Sequence, residues 1–480
     1  MKTIHSLLLT ILCLSCSWLS SAQEVENISK TINLTVVATD NIKGVANEGD
    51  TLTITSVIRD ASKAKGFKYI ISGTTSSGLN FDIDCSKISK IPFKLPEITD
   101  KESYWNFKSI KESFVTLSKK MDVYSIRKMA AEESDNIMNE YKENGNIIED
   151  PVLNDYITSL FIEVYPEQRL DFFNYNFSVA VIHSLEPYSY ISPNGIFVIS
   201  SGLLAQIHTE DELMAIICRE CNHFICNHFI VNMAKVQKRL NIAAIADIAS
   251  TVLVGKTTVA TDIAKLVNDI GLNFDKTQEK DSDQAAVDML PVLGYDVNAM
   301  ATYVKRVGDY YIAEGKLTEV YNDKGTYPKL EDRLAATGTP YERRDKNYEQ
   351  EVATCISYVA SARFDKGQYE LAASIVNQNI ENGVASSDDF VLLGNSLMKV
   401  ADNEENNNKV LNLFTTALSK DAENINAHKG YVSILFRLER YDEAKAALQE
   451  MLPLANDNSE IMTWIKGMDR QITRKMSNPS

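Results

Sequence analysis

From Thr31 to about Pro96, apolar and polar residues alternate in four short runs, TINLTVVAT, DTLTITSVI, FKYIISG and LNFDIDC, separated by Gly, Asn, Asp and Ser. Period-two alternation in β-branched residues marks half-buried strands, so this stretch predicts a small β-barrel or sandwich. Lys94-Leu95-Pro96-Glu97 starts a linker, and between Asp100 and Leu170 the apolar spacing becomes helical, as in SIRKMAAEESDNIMNEYKENG and PVLNDYITSLFIEVY. FNYNFSVAVIHS then reads as a strand. The stretch YSYISPNGIFVISSGLL, Tyr188 to Leu204, reads as a turn, a second strand and an exit into a helix, followed by one helix from Glu210 to Val231.

From about Glu351 the pattern is helical and repetitive. Gly367-x-Tyr369-x-x-Ala372 returns as Glu439-x-Tyr441-x-x-Ala444, 72 residues on, which is two units of 36. That period is close to the ~34 residues of helix-pair repeats, whose stacking creates a concave surface for peptides or partner proteins. The middle unit reads as irregular around Glu404-Glu405-Asn406-Asn407-Asn408. Truncation near Asn347 is expected to leave a folded core. The fold class is α+β, with a small β domain at 23–97, a mainly helical domain with a short sheet at 98–345 and helical repeats at 346–480.

Composition changes this picture at the N-terminus. MKTIHSLLLTILCLSCSWLSSAQ has a lysine, an apolar core and a small-x-small ending at Ala22, so 1–22 reads as a signal peptide, with export to the periplasm or beyond and a mature start near Gln23. Cys16 offers the alternative of a lipid anchor, although Cys13 stands where an aliphatic residue is expected. Cleavage leaves Cys85, Cys218, Cys221, Cys226 and Cys355, an odd number and too few for a disulfide framework, and the three on the central helix, Cys218, Cys221 and Cys226, read as small packed hydrophobes. No run after the signal is long enough to span a bilayer: Ile242 to Val254 is short and interrupted by Asp247. A formal net charge of -16 without a basic run excludes nucleic acid as a partner.

The chemistry concentrates in Asp211 to His228, DELMAIICRECNHFICNH. Residues four apart stack on one helix face, so an H-E-x-x-H run aims two imidazoles at one metal and a glutamate at its bound water. Here the run is Arg219-Glu220-Cys221-Asn222-His223, with an arginine at the first histidine position. A guanidinium has no lone pair to donate. As a buried cation it must instead find anions.

Together with SPNGIFVISSGLL, Glu212-Leu213, Glu220, His223, His228, Glu279-x-x-x-Asp283 and Gly294-Tyr295-Asp296, the helix resembles the HtpX and CAAX-prenyl-protease family of zinc metallopeptidases over residues 120 to 340. The resemblance implies a zincin-type fold, with Glu220 as catalytic base, His223 and Glu279 as zinc ligands, Asp283 supporting the site and His228 in a supporting or structural role. It also implies that the strand through Gly195, Ile196, Phe197 and Val198 is the edge that pairs with an extended substrate. Thr326-Tyr327-Pro328 and Arg333 resemble a T-H-P…R segment with a second histidine lost. His183 and His208 stand at no ligand position and read as exposed or capping residues. The spacing of the N-terminal strands resembles bacterial SH3-like domains.

With Arg219 in place, zinc is expected to be absent or weakly bound. Cys226 is the one thiolate that could serve as a substitute ligand, a turn too far along for hydrolysis. Two functions follow: a pseudopeptidase or chaperone-like scaffold that binds unfolded or extended polypeptides in envelope quality control, and, as the alternative, an active zinc endopeptidase with an altered ligand set. Arg219 is expected to pair with Glu279 in place of the metal.

Overall fold

The computed structural model describes residues 28–63, 66–118, 123–167, 170, 177–232, 274–321, 327–455 and 458–477. The expected signal peptide, Ile242 to Val254 and Thr326 lie outside the described residues. No helix among them is long and apolar enough to cross a membrane. The chain divides into two compact units, one of Met1–Asp135, Tyr165–Asn176 and Cys221–Gln278, the other of Asn136–Val164, Phe177–Glu220 and Glu279–Ser480.

The first unit contains a five-stranded antiparallel sheet in the order β4-β3-β2-β1-β5, from β1 (Ile28–Ala38), β2 (Thr51–Lys63), β3 (Gly66–Thr75), β4 (Asn80–Asp84) and β5 (Phe93–Lys94). On β1, Ile32, Leu34, Val36 and Ala38 are buried while Thr31, Asn33 and Thr35 between them are not, the signature of a sheet covered on one face. A single sheet, rather than two packed face to face, is present among the unit's described residues. β5 is too short for its alternation to show in the sequence. Asp100 caps α1 (Lys101–Ser109), accepting from the Ser103 N–H at 2.7 Å. The helical path continues to Phe114, whose ring stacks on Tyr69 of β3 at 4.2 Å, and the Ser118 Oγ accepts the Tyr69 N–H. The helix expected to open the next domain therefore packs on the N-terminal sheet.

The second unit holds a three-stranded sheet, β6 (Ser178–Ile182), β7 (Ser189–Ile191) and β8 (Ile196–Ser200), in the order β6-β8-β7. β8 pairs in parallel with β6 and antiparallel with β7. This corrects one expectation. The strand following Gly195, with Ile196, Phe197 and Val198, is hydrogen-bonded on both sides and cannot offer an edge. β7, which the sequence reading took for part of a turn, is the outer strand. The far side of β6 is covered by 146–148 through Ile148 N to Val181 O and His183 N to Asn146 O, both 2.8 Å.

Beyond β8, Ser200 caps α2 (Ser201–Gln206), where Gly202 is required because a Cβ would lie 2.4 Å from the Leu185 carbonyl oxygen. Thr209 then caps α3 (Glu210–Ile225), whose acidic first turn suits the positive end of a helix dipole. α4 (Lys276–Leu293), α5 (Ala299–Ala313) and α6 (Leu330–Thr337) follow.

The repeats form regular pairs after α7 (Lys346–Glu351): α8 (Ala353–Asp365) with α9 (Tyr369–Asn382), α10 (Ser387–Val400) with α11 (Glu404–Lys420), and α12 (Ile425–Arg437) with α13 (Tyr441–Glu450), closed by α14 (Ser459–Ser477). The stretch read as irregular is the first turn of α11, capped by Asn403. Gly367 and Glu439 occupy equivalent turns at φ +75 and +59, so Glu439 adopts a left-handed conformation that glycine takes without strain.

The repeats are not an appendage. Tyr348 of α7 is 1% exposed and donates to the Leu204 carbonyl of α2 at 2.7 Å, and the Asp345 N–H bonds to the His208 carbonyl at 2.8 Å. Cutting near Asn347 would strip this buried anchor from the rest of its unit, against the expectation of an independent core. Tyr348→Ala is expected to lower the unfolding free energy by about 3–5 kcal/mol, as for other large buried rings. Urea denaturation followed by circular dichroism checks this; a loss below about 1 kcal/mol would mean the anchor is dispensable.

Candidate functional site

α3 is buried around most of its circumference: Leu213 through Cys218 and Cys221 are inaccessible to solvent. Charges on such a helix persist only when paired. Arg219, 4% exposed, meets three carboxylates. Its Nη2 donates to Glu279 Oε2, its Nη1 to Glu220 Oε1 and its Nε to Asp283 Oδ1 at 3.2 Å. Glu279 and Asp283, four residues apart on α4, share a helix face. Asp283 also accepts twice from Arg333 of α6, from Nε at 2.8 Å and Nη2 at 2.9 Å. Ser189 on β7 donates to Glu220 Oε1 at 3.0 Å.

Three acids thus face two guanidiniums, all of them buried. Burial raises the Glu220 pKa and lifts Glu279 to about 7, against the pull of Arg219 on both. For Arg219, burial works against the charge, but Glu279 and Glu220 outweigh it and the guanidinium stays protonated. The half-buried Tyr327 has the Arg333 guanidinium 5.4 Å from its ring centroid.

The expected Arg219–Glu279 pair is therefore present, and the structure also gives Arg219 two further acceptors, Glu220 and Asp283. Gly195 to Val198 lie in and before the central strand rather than at an edge.

In the other unit, His223 and His228 face each other, Nδ1 to Nδ1 at 3.0 Å, and the His223 ring stacks on Phe274 at 3.8 Å. One helix through Val231 would have kept them on different faces. α3 instead ends at Ile225, and Asn227 turns the chain at φ +55, a left-handed conformation that asparagine tolerates. Cys226 is buried with Sγ 3.4 Å from Asn222 Oδ1 and 3.9 Å from the Lys108 carbonyl.

A second buried network escaped sequence reading. Arg306 Nε donates to Glu212 Oε2 at 2.7 Å, while Thr209 and the His208 N–H serve the other oxygen, at 3.2 and 3.4 Å. His208 Nδ1 lies 3.5 Å from Glu349, which also accepts from Arg344 at 2.6 Å. Burial lifts Glu212 to about 7; burial, then Arg306 and Arg344, lower His208 to about 3. His208 is thus a neutral, mostly buried link and not an exposed cap. The only signal in the sequence was Glu212 inside a motif, with no hint of its partner 94 residues away.

The sequence model of Peptidase family M48, a zinc-dependent family, matches residues 152–340, and that of a Tetratricopeptide repeat matches 404–462. The chain is 25% identical over 206 residues to a beta-barrel assembly-enhancing protease of Vibrio cholerae serotype O1. That alignment covers 42% of this chain and 41% of the relative, so the chain spans about two fifths of its length. Among solved structures, the TPR2AB domain in its pHSP90 complex from yeast Sti1 aligns at 13% identity and TM-score 0.23, covering 56% of this chain and 93% of that one. Yeast Tom70 aligns at 14% identity and TM-score 0.24, covering 72% and 74%.

Arg219→Ala removes the guanidinium bonded to three buried carboxylates, and is expected to cost about 3–5 kcal/mol in denaturant unfolding; a cost under 1 kcal/mol would contradict the pairing. The Glu212 pKa is raised on folding, so the native state holds a proton the unfolded chain releases, and this contribution to stability is lost as pH rises from about 4.5 to about 7. Glu212→Gln removes that dependence, so the variant should gain on the native protein with rising pH across this window, by at most about 1.4 kcal/mol per pH unit. Parallel stability–pH curves for the two proteins would refute the assignment.

Proposed function

We propose that this chain, which carries a peptidase family M48 domain followed by tetratricopeptide repeats, is an exported polypeptide-binding scaffold of envelope protein quality control, a pseudopeptidase rather than a hydrolase. The observation that carries this is Arg219. A catalytic zinc needs three protein donors, each with a lone pair, and an open position for water. At the first ligand position stands a cation without a lone pair, already bonded to the would-be ligand Glu279 and to the would-be base Glu220. The residues present do not fit the metal.

What persists is the means of holding an extended chain. In β7, Ser200 N bonds to Tyr188 O and Ser192 N to Ile196 O, so even-numbered residues pair inward with β8. The N–H and C=O groups of Ser189 and Ile191 consequently point outward, and no described residue hydrogen-bonds to them. An incoming strand would supply their partners, giving affinity through main-chain bonds and little dependence on sequence. The repeats add a protein-binding surface. The envelope setting rests on the apolar N-terminal stretch and on the name of the bacterial relative.

Purified protein without its first 22 residues is expected to hold well under one zinc per chain by mass spectrometry, to leave casein intact and to bind a fluorescent unfolded polypeptide. Stoichiometric zinc with chelator-sensitive cleavage would establish the active endopeptidase instead. An extended peptide N-methylated at alternate residues should bind at least about tenfold more weakly than its parent in one of the two registers. Equal affinity of both registers and the parent would remove β7 as the docking edge.

A further inference from the structure

One face of β7 meets Glu220 through Ser189; the opposite face, by strand alternation, carries Tyr188 and Tyr190. Their rings stack at 6.5 Å and 21°. Tyr188 lies within electrostatic reach of Tyr141, Glu186 and Tyr358, and Tyr358 of α8 stacks on His183 at 4.2 Å. Two polar atoms in this group, the Tyr188 hydroxyl and His183 Nδ1, are buried without a hydrogen-bond partner among the described residues. Native proteins rarely leave buried polar atoms unpaired, so these two acceptors are open to a partner from outside the chain. Tyr141, His183, Glu186, Tyr188 and Tyr358 are themselves only partly buried, so the group borders solvent.

Resting on the reading of β7 as a docking edge, we infer that this aromatic group is a side-chain subsite selecting arginine in the bound extended polypeptide. A guanidinium is planar, so it stacks on tyrosine rings, and its five N–H groups match the acceptors at hand: the Tyr188 hydroxyl oxygen, His183 Nδ1 and the Glu186 carboxylate. Burial lowers the His183 pKa, keeping the ring neutral and one nitrogen free to accept. Glu186 Oε1 already takes the Tyr311 hydroxyl at 3.3 Å, which fixes the carboxylate in place. A chain with a net charge of -16 also draws cationic segments toward it. A residue on the Ser189 face of a docked strand would instead meet the sealed Arg219 cluster, so selection is confined to alternate positions of the bound chain.

The test uses the full mature chain and four fluorescent decapeptides of alternating Thr and X, with X as Arg, citrulline, Ala or Glu, read by anisotropy. The Arg peptide is expected to bind at least about tenfold tighter than the citrulline and Ala peptides, with Glu weakest. Glu186→Gln, at an unchanged thermal midpoint, should reduce the Arg preference over citrulline to under about threefold. Should that variant fail to fold, the citrulline comparison on the native protein decides alone. Equal binding of the Arg, citrulline and Ala peptides overturns the subsite and leaves the docking edge standing; binding of none overturns both.

Discussion

The structure turns on a cation that cannot leave. Arg219 sits in a helix buried on nearly every side, and the low dielectric around it makes any unpaired charge there costly. Its three hydrogen bonds to Glu220, Glu279 and Asp283 tie α3 to α4, and Asp283 extends the tie to Arg333 on α6. The polypeptide itself supplies the positive charge that gathers these carboxylates, through hydrogen bonds.

The same principle organises the far end of α3. Glu212 is held by Arg306 and Thr209, and the neighbouring His208 reaches Glu349 at the start of the repeats. With Tyr348 seated on α2, the peptidase-like and repeat segments of this unit share one buried interface. A cut between them in sequence is therefore not a cut between folding units, which is why a boundary that reads cleanly at 345 does not isolate the packing.

Periodicity made the element types legible. The four long N-terminal strands, the helices after Asp100 and the paired repeats all follow from spacing, because side chains must alternate or stack on the side that is buried. What spacing could not give were events set by tertiary contact. β7 has three residues, too few for a pattern, and its position decides which edge is open. The left-handed turn at Asn227 costs asparagine little, so nothing in the sequence marks it, yet it brings His228 back onto His223. At the site, Arg219 was visible in the sequence as a cation within an apolar helix. The demand that a buried arginine find carboxylates gave the Glu279 pair, while the shares taken by Glu220 and Asp283 required the packing of three helices.

The most direct test of Arg219 as internal counter-ion is the thermal unfolding midpoint of the mature chain, measured in chelator and then with increasing zinc. A metal that binds the native fold raises the midpoint by mass action, whereas a site already neutralised by a guanidinium has nothing to gain. The account predicts superimposable transitions at every zinc concentration up to about 100 µM, far above what a functional site needs. A midpoint that climbs with zinc and falls in chelator would show that the metal still binds the native fold, and would contradict the account.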